Sequence, residues 1–220
     1  GSNGKTTTKE MCAAILAVRA PCLKTEGNLN NQYGLPLTLL RRDESQRSAV
    51  VEIGMNHAGE TAPLAAIARP TVGVITNIGT AHIENLGSQD AIAREKGALF
   101  EALGEDAVAV ANFDDARVVA QLARTKARPF TFGREMGADV RAEHVVALGE
   151  RGCAFQLVAP DGRASVCVAG VGQIPVLNAL AAAAAALAAG ASLDDVGAGL
   201  EDYRPPSGRL EPVALPRNVI

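Results

Sequence analysis

Short apolar runs alternate with stretches of helical periodicity through the first two thirds of the chain, and this alternation limits the fold more than any other feature. The apolar runs are SAVVEI (48–53), TVGVIT (71–76), AVAVA (107–111) and the shorter 129–132. Amphipathic helices are predicted between them, over 60–68, 88–103 and 114–124, the last capped by the Asp114-Asp115 pair. Buried strands joined by helices indicate an α/β fold, with a mostly parallel sheet and helices on both faces.

The pattern changes after residue 136. Three segments within 140–168, separated by Gly-rich or Asp-Gly turns, predict a small antiparallel meander over about 137–169. An Ala-rich helix is predicted over 176–189, and another over 193–200 that begins at Ser192. Four prolines follow Tyr203, which is typical of a linker. We therefore predict one domain over 1–204 and a hinge or linker over 205–220.

Composition excludes several classes of protein. The 220 residues are 48% hydrophobic but only 3% aromatic, so the core is expected to be aliphatic. The net charge of −3 argues against a nucleic-acid partner. No apolar run has transmembrane length, and the N-terminus does not resemble a signal peptide. The four cysteines lack CxxC spacing and are interpreted as buried thiols of a cytoplasmic protein, not as a disulfide framework.

The N-terminal stretch GSNGKTTTKE has the chemistry of a phosphate-binding loop. Glycines let backbone N–H groups approach a polyphosphate, a lysine reaches its terminal phosphates, and a threonine hydroxyl can bind Mg²⁺. A helix is predicted over 7–18, which places the loop at a positive helix end. The residues predicted to bind the nucleotide here are Gly1, Asn3, Gly4, Lys5, Thr6 and Thr7. The general motif also needs an earlier glycine and a buried strand before the loop, which the sequence does not contain; the alternative is a solvated Gly/Ser/Thr terminus.

Polar residues follow two of the predicted strands, at the edge where ligands bind in open parallel sheets. Glu52 lies near the end of the first apolar run, and Asn77 and His82 follow the second. We expect Glu52, His82 and Thr6 to converge on Mg²⁺ beside the phosphates. Taken singly, an exposed-face glutamate and a structural histidine are the simpler interpretations. Lys96 lies on the helix predicted over 88–103, where most lysines are solvated.

Four stretches resemble the Mur ligases, ATP-dependent amide-forming enzymes of peptidoglycan synthesis. They are EGNLNNQYGLPLTLL (26–40), EIGMNHAGE (52–60), TNIGTAHIENLGSQDAIAREKG (76–97) and VLNALAAAA (176–184). The resemblance runs from GSNGKTTTKEM to GRLE and concerns the central ATPase domain. Within the family these stretches look most like the members that add D-alanyl-D-alanine to UDP-N-acetylmuramoyl-tripeptide. The resemblance implies N- and C-terminal domains outside residues 1–220, and a chain that begins inside the loop motif.

The resemblance also implies roles for the polar residues. Lys5 would contact the β- and γ-phosphates of ATP, and Thr6 would bind Mg²⁺. Glu52 and His82 would hold Mg²⁺, His82 at a second ion. Lys96 matches a lysine that is carbamylated in many Mur ligases, which turns a cation into an oxygen ligand for a hard metal. Lys5, Glu52, His82 and Lys96 are therefore the predicted catalytic residues.

Further positions match residues that contact the nucleotide or the muramoyl substrate. Asn28 matches a residue near that substrate, and Asn30, Asn31 and Asn77 are grouped with it; an Asn-rich turn is the alternative. Asn178 matches the asparagine near adenine, although Ile174-Pro175 departs from the family's His-Asn just before it. The remaining nucleotide positions are the hinge Arg209 and, unless they only cap a helix, Asn112 and Asp115.

The implied reaction is ATP-dependent amide ligation in peptidoglycan precursor synthesis, through an acyl phosphate. The expected partners are UDP-N-acetylmuramoyl-tripeptide and D-alanyl-D-alanine. The protein itself is expected to be a monomer in the cytoplasm. Another Mur ligase, a folylpolyglutamate synthetase-like ligase, a P-loop switch or transport ATPase and a non-enzymatic nucleotide-binding module remain alternatives. Residues 1–220 alone are expected to have negligible ligase activity.

Overall fold

The computed structural model describes residues 1–170 and 174–206, and these form an α/β structure with eight strands. The strands are β1 (Cys22–Lys24), β2 (Ser48–Val50), β3 (Val72–Ile75), β4 (Val108–Asn112), β5 (Arg128–Gly133), β6 (Val140–Ala147), β7 (Cys153–Ala159) and β8 (Gly162–Val168). The α-helices are α1 (Lys5–Ala17), α2 (Gly34–Leu40), α3 (Thr61–Ala68), α4 (Ile83–Leu86), α5 (Gln89–Glu101), α6 (Ala116–Gln121), α7 (Ile174–Ala188) and α8 (Leu193–Asp202).

The strands form two separate sheets among the described residues. β1 and β2 make a parallel pair, and the other six lie side by side in the order β3-β4-β5-β6-β7-β8. From β3 to β6 the pairing is parallel, and from β6 to β8 it is antiparallel. The predicted parallel sheet and the predicted meander are both confirmed, and β6 is the strand that joins them.

Helices cover both faces of the larger sheet, as β4 shows most clearly. Val108 and Val110 pack into a core with α1, α7 and α8, whereas Ala109 and Ala111 pack into a second core with α5. Successive side chains of a strand point to opposite faces, so an uninterrupted apolar strand serves both cores. Every residue of β4 is buried.

The Ala-rich helix α7 is a packed core element. Its alanines from Ala181 to Ala184 are fully buried, with α1 and α8 packed beside it. Small side chains allow close approach of the helices, and Gly199 of α8 lies so near Ile15 that an added Cβ would be 2.4 Å from the Ile15 Cα. The close packing of α1, α7 and α8 on this side of the sheet therefore requires small residues at the contacts.

Three short elements were not predicted: β1, α2 and α4. β1 has only three residues, which is too short for a period-2 pattern to stand out. Asn31 accepts hydrogen bonds from the N–H groups of Tyr33 and Gly34 and so caps the start of α2. The sequence of α2 lies within the 26–40 stretch and carries no helical pattern that stands out from it. The strand predicted over 48–53 ends its pairing at Val50.

None of the helices in the described ranges combines the length and the apolar character that crossing a membrane requires. The four cysteines form no disulfide with one another in the described part of the chain.

Candidate functional site

The loop before α1 is clamped to the end of β3 by two asparagines and a threonine. The Asn3 N–H donates to Asn77 Oδ1 over 2.9 Å, and Asn77 Nδ2 donates back to the Asn3 carbonyl over 3.0 Å. Thr76 Oγ1 donates to the same carbonyl over 2.7 Å. The Asn77 amide, predicted near the substrate, is thus engaged in holding the loop.

Close packing explains why glycines occur in this loop. A Cβ on Gly1 would lie 1.8 Å from Thr76 Oγ1, and a Cβ on Gly4 would lie 2.3 Å from Asn178 Oδ1. Gly4 also has a φ of 79°, which side chains disfavour. Asn178, predicted near adenine, therefore lies directly against the loop although it is far away in sequence.

Lys5 and Thr6 begin α1. Lys5 Nζ donates to the carbonyl oxygens of Gly1 and Ser2, at 3.0 and 3.2 Å, so the ammonium folds back over the loop. Thr6 Oγ1 points instead toward β2 and donates to Glu52 Oε2 over 2.9 Å. The first turn of α1 thus offers a cation and a hydroxyl beside backbone N–H groups, which is the donor set that a polyphosphate requires.

Glu52 is the carboxylate at the centre of the site. It is buried, and Asn30 Nδ2 donates to its second oxygen, Oε1, over 2.9 Å. The Glu52 N–H donates to Thr25 Oγ1 over 3.0 Å, which fixes the backbone just past the end of β2. Thr6, Glu52 and Asn30 therefore form a hydrogen-bonded row that connects the loop to the Asn-rich stretch.

Lys96 reaches the same place from α5. Only 6% of the residue's surface is exposed, and burial lowers the pKa of the ammonium to about 8, with the positive charge of Lys5 adding to the effect. A lysine with this pKa is neutral in about a tenth of the molecules at pH 7, far more than an exposed lysine. Lys96 is therefore not an ordinary solvated helix lysine, and the simpler alternative for this residue does not hold.

One cavity of about 880 Å³ brings most of the predicted residues together. Its lining includes Gly4, Lys5, Thr6, Asn28, Asn30, Asn31, Glu52, His82 and Lys96. His82 has a φ of 67°, in the left-handed region, just before α4. The cavity thus collects side chains from five separate parts of the sequence.

The residues present fit Mg²⁺ as an ion shared with a phosphate, not as a caged ion. No group of three or more His, Cys, Asp and Glu side chains with metal-binding geometry occurs in residues 1–170 and 174–206. The Thr6 hydroxyl and the Glu52 carboxylate are hard oxygen donors, and Mg²⁺ commonly takes one or two carboxylates together with phosphate oxygens and water. A charged Lys96 would repel such an ion, whereas a carbamate would attract it.

The asparagines predicted to bind substrate lie in different surroundings. Asn30 is engaged with Glu52, and the side chain of Asn31 caps α2. Asn28 is exposed at the rim of the cavity. Asn28 is therefore the member of this group whose side chain is best placed to meet a ligand.

The predicted nucleotide residues at the end of β4 and just after it are largely engaged within the protein. Asn112 is buried, donates to the Thr76 carbonyl over 2.8 Å and accepts from the Asp114 N–H over 3.0 Å. Asp115 caps α6 through the N–H groups of Arg117 and Val118, as the helix-capping alternative states. Asp114 does not cap this helix.

The structure adds little about two other positions that are predicted to bind the nucleotide. Thr7 is half-buried in the first turn of α1. Arg209 lies outside the described residues.

Two residues of the site were missed from sequence. Ser2 accepts the Gly79 N–H on Oγ over 2.8 Å, which adds a second clamp between the loop and the residues after β3. Glu95 accepts the N–H groups of Gly59 and Thr61, both at 2.8 Å, and so fixes the loop before α3 on the cavity wall. Neither residue has a local sequence signal, because each partner is more than thirty positions away.

Comparison with known proteins places this geometry in a family. Residues 1–186 match the family model described as Mur ligase middle domain. The UDP-N-acetylmuramoyl-tripeptide--D-alanyl-D-alanine ligase of Escherichia coli K12 is 37% identical over 221 residues, which cover 99% of this chain and 48% of that protein. The corresponding ligase of Bacillus subtilis 168 is 37% identical over 96% of this chain and 45% of its own length.

Solved structures agree with the sequence relatives. A crystal structure of MurF from Acinetobacter baumannii has a TM-score of 0.93 and 39% identity, covering 98% of this chain and 47% of that chain. MurF ligase from Thermotoga maritima in complex with ADP has a TM-score of 0.83 and 30% identity, covering 96% and 48% respectively. The chain spans about half the length of the curated relatives it matches. By the family match over most of its length, the chain belongs to the Mur ligase family and comprises its middle domain.

Proposed function

We propose that this chain is the ATP-binding part of a longer ligase that joins D-alanyl-D-alanine to UDP-N-acetylmuramoyl-tripeptide. The observation that carries the proposal is the convergence of Lys5, Thr6 and Glu52 at the N-terminus of α1, in one cavity with His82 and Lys96. Relatives of 36–39% identity are named as ligases with these two substrates. The cytoplasm, where such precursors are made, is the compartment we propose.

ATP is the proposed nucleotide, since the Thermotoga maritima relative is a complex with ADP. The loop N–H groups and the positive end of α1 would hold the phosphates, and Lys5 would leave the Gly1 and Ser2 carbonyls to contact the terminal ones. Asn178, beside Gly4, would lie at the base side of the nucleotide, and Arg209 would approach it from the hinge that we propose over 205–220.

The proposed reaction has two steps. A substrate carboxylate oxygen attacks the γ-phosphorus of ATP, the bond to the β-γ bridging oxygen breaks, and an acyl phosphate and ADP form. The incoming amine then attacks the acyl carbon, phosphate leaves with the C–O bonding electrons, and the amine nitrogen loses a proton. The first step brings two anions together, so the Lys5 charge lowers its barrier.

The other residues of the cavity orient the reactants. Glu52, held by Thr6 and Asn30, presents a fixed carboxylate, and Asn28 at the rim would meet the muramoyl substrate. Bound Mg²⁺, held by Thr6, Glu52 and His82, would neutralise phosphate charge. Asn30, Asn31 and Asn77 would support the substrate side of the site by fixing its loops.

Lys96 is proposed to carry a carbamate. The neutral amine nitrogen bonds to the carbon of CO₂ and releases one proton, which leaves an anionic oxygen ligand. Because the pKa of Lys96 is about 8 and not the ordinary 10.5, its neutral fraction near pH 7 is a few hundredfold larger than that of an exposed lysine. The carbamate would also remove the repulsion between Lys96 and Lys5.

Nucleotide binding is tested by calorimetry with the present chain. Lys5→Met should weaken Mg²⁺-ATP binding about 10- to 100-fold, because it removes a charged hydrogen-bond donor to phosphate. Lys126→Met is the matched control, since Lys126 is 80% exposed and far from the loop in sequence. Equal affinity of the Lys5→Met variant and the control would refute the assignment of the loop.

Carbamylation is tested by carbon-13 NMR of the chain in ¹³C-bicarbonate. A carbamate resonance is expected that grows as the pH rises toward 8, because the neutral amine is the reactive form. Lys96→Met should abolish it and Lys126→Met should leave it unchanged. A spectrum that is the same for both variants would exclude Lys96 as the modified residue.

The ligase assignment is tested by phosphate release from ATP by the longer polypeptide. UDP-N-acetylmuramoyl-tripeptide is supplied with D-alanyl-D-alanine, with single amino acids or with glutamate. Release that depends on the dipeptide supports the proposal. Release with a single amino acid or glutamate would show that the protein is a related ligase with another amine substrate. No release with any pair would show that the protein binds nucleotide without ligase activity on these substrates.

A further inference from the structure

The loop over residues 55–61 forms part of the wall of the cavity that the phosphate loop also lines. It follows Glu52 in the chain and leads into α3, and residues 56–59 are exposed. Its cavity-lining members are Met55, Asn56, His57, Gly59 and Glu60. An exposed loop without regular secondary structure has no ladder of backbone hydrogen bonds to order it. Two carboxylates supply that order here.

Glu60 holds the first half of the loop. The N–H groups of Asn56 and His57 both donate to Glu60 Oε2, over 2.6 and 3.2 Å. The His57 ring nitrogen Nδ1 lies 3.3 Å from the other oxygen, Oε1. The hydrogen bond from the Asn56 N–H lowers the pKa of Glu60 against the opposing effect of burial, so the ionised carboxylate is the form that holds the loop at neutral pH.

Glu95 holds the second half of the loop from α5. The Gly59 N–H donates to its Oε2 and the Thr61 N–H to its Oε1, both over 2.8 Å. Hydrogen bonds to an ionised acceptor are stronger than neutral ones. Because Glu95 precedes Lys96 in α5, the loop is fastened to the helix that carries Lys96 into the cavity.

The loop faces the substrate side of the site and not the base of the nucleotide. Asn28, at the cavity rim, lines the same space as Asn56 and His57. Asn178, which packs against Gly4 and is proposed to lie at the base side, is not among the described residues that line it. The exposed side chains of the loop are therefore placed to meet what binds beside the phosphates.

We propose that Glu60 and Glu95 are positioning residues, which hold the 55–61 loop in its binding conformation before the muramoyl-peptide substrate arrives. The hydrogen bonds are already made in the free protein, so binding does not have to order the loop. This inference deepens the proposed function and rests on it. It assigns the two carboxylates to substrate affinity, not to the chemical steps.

The sign of the effect separates positioning from charge. UDP-N-acetylmuramoyl-tripeptide carries a diphosphate, so the removal of a negative charge beside the cavity would by itself improve its binding. Loss of an acceptor that orders the loop would instead weaken binding. The two causes thus predict opposite changes in the KM of this substrate.

The inference is tested by steady-state kinetics of the longer polypeptide, with ATP and D-alanyl-D-alanine at saturation. Glu95→Gln should raise the KM of UDP-N-acetylmuramoyl-tripeptide about tenfold and leave kcat within about twofold, because glutamine offers one acceptor oxygen where two N–H groups point to different oxygens. Glu105→Gln is the matched control, since the Glu105 side chain is 77% exposed.

A pair of substitutions at Glu60 tests the hydrogen bonds themselves. Glu60→Ala should also raise this KM about tenfold, because the Asn56 and His57 N–H groups lose their acceptor. Glu60→Gln should stay within about threefold of the unsubstituted protein, because both N–H groups donate to one oxygen, which glutamine retains. Rescue by the amide is not expected of a residue that acts through its charge.

A second measurement does not depend on the folding of any variant. In the present chain without ligand, the N–H groups of Asn56, Gly59 and Thr61 should exchange with solvent at least tenfold more slowly than their intrinsic rates predict. The Ala58 N–H, which donates no hydrogen bond among the described residues, should exchange near its intrinsic rate.

The possible failures are distinguishable. An unchanged or lower KM in Glu95→Gln, a loss confined to kcat, or exchange at Asn56, Gly59 and Thr61 as fast as at Ala58 would overturn this inference while the proposed function stands. Absence of dipeptide-dependent phosphate release by the unsubstituted longer polypeptide would overturn both.

Discussion

The two ends of α1 lie in surroundings of opposite chemistry. At its N-terminus, Lys5 and Thr6 are held through directed hydrogen bonds by carbonyls and a carboxylate. Toward its C-terminus, Ile15 is fully buried against α8 and the helix packs along the alanines of α7. The first end is specified by hydrogen-bond direction, the second by side-chain volume. Substitutions should therefore separate ligand binding from stability along a single helix.

The largest expected effect is on the apolar end. Gly199→Ala should destabilise the chain by about 3 kcal/mol, because its Cβ would lie 2.4 Å from the Ile15 Cα and backbone atoms cannot yield cheaply. Gly197→Ala, in the same helix, has only the Ser165 carbonyl oxygen within reach, at 3.8 Å, and should stabilise by about 0.5–1 kcal/mol. Denaturant unfolding measures both, and destabilisation of equal size would show that the tight α1–α8 contact is absent.

A smaller effect on stability, joined to a loss of binding, is expected at the polar end. Gly4→Ala and Gly87→Ala both place a side chain at positive φ, of 79° and 81°, at a cost of about 1–2 kcal/mol. Only Gly4→Ala would also push against Asn178, at 2.3 Å from Oδ1; a Cβ at Gly87 meets no atom within 4 Å. Calorimetry should show at least tenfold weaker ATP binding for Gly4→Ala alone. Equal binding by both variants would contradict the role given to the loop.

The smallest effect concerns the capping box that begins α8. Asp195 accepts from the Ser192 N–H over 2.6 Å, and hydrogen bonds from the Ser192 backbone and hydroxyl lower its pKa, with Arg19 adding to the effect. Asp195→Asn should cost about 1 kcal/mol at pH 7. A lowered folded-state pKa gives stability that is present above the ordinary value of 3.8 and is lost as the pH falls through the folded one. The two proteins should therefore converge in unfolding free energy below pH 3, and a constant difference would assign the loss to packing.

The sequence predicted the helices and strands better than it predicted which side chains hydrogen-bond to one another within the site. The strands β3 to β5 and the long helices follow from periodicity, because burial on one or two faces leaves a local pattern. The loop and Glu52 also carry local signals. The engagement of Asn30 with Glu52, and of Asn77 with Asn3, could not be predicted, because each depends on segments that only the folded sheet brings together. The sequence could show that Lys96 is a lysine on a helix, but not that it is buried.

The alanines of α7 have a mechanical consequence. A close-packed contact made of small side chains leaves little room for sliding or tilting, so α1 and α7 should move as one rigid body. α1 is about 20 Å long from its thirteen residues. A small displacement of its first turn by a bound phosphate would therefore be carried undamped to α8, and from there to the residues that follow Asp202. Because the contact between α1 and α7 is stiff, a small shift of the phosphate loop would produce a shift of α8 and of the residues after it.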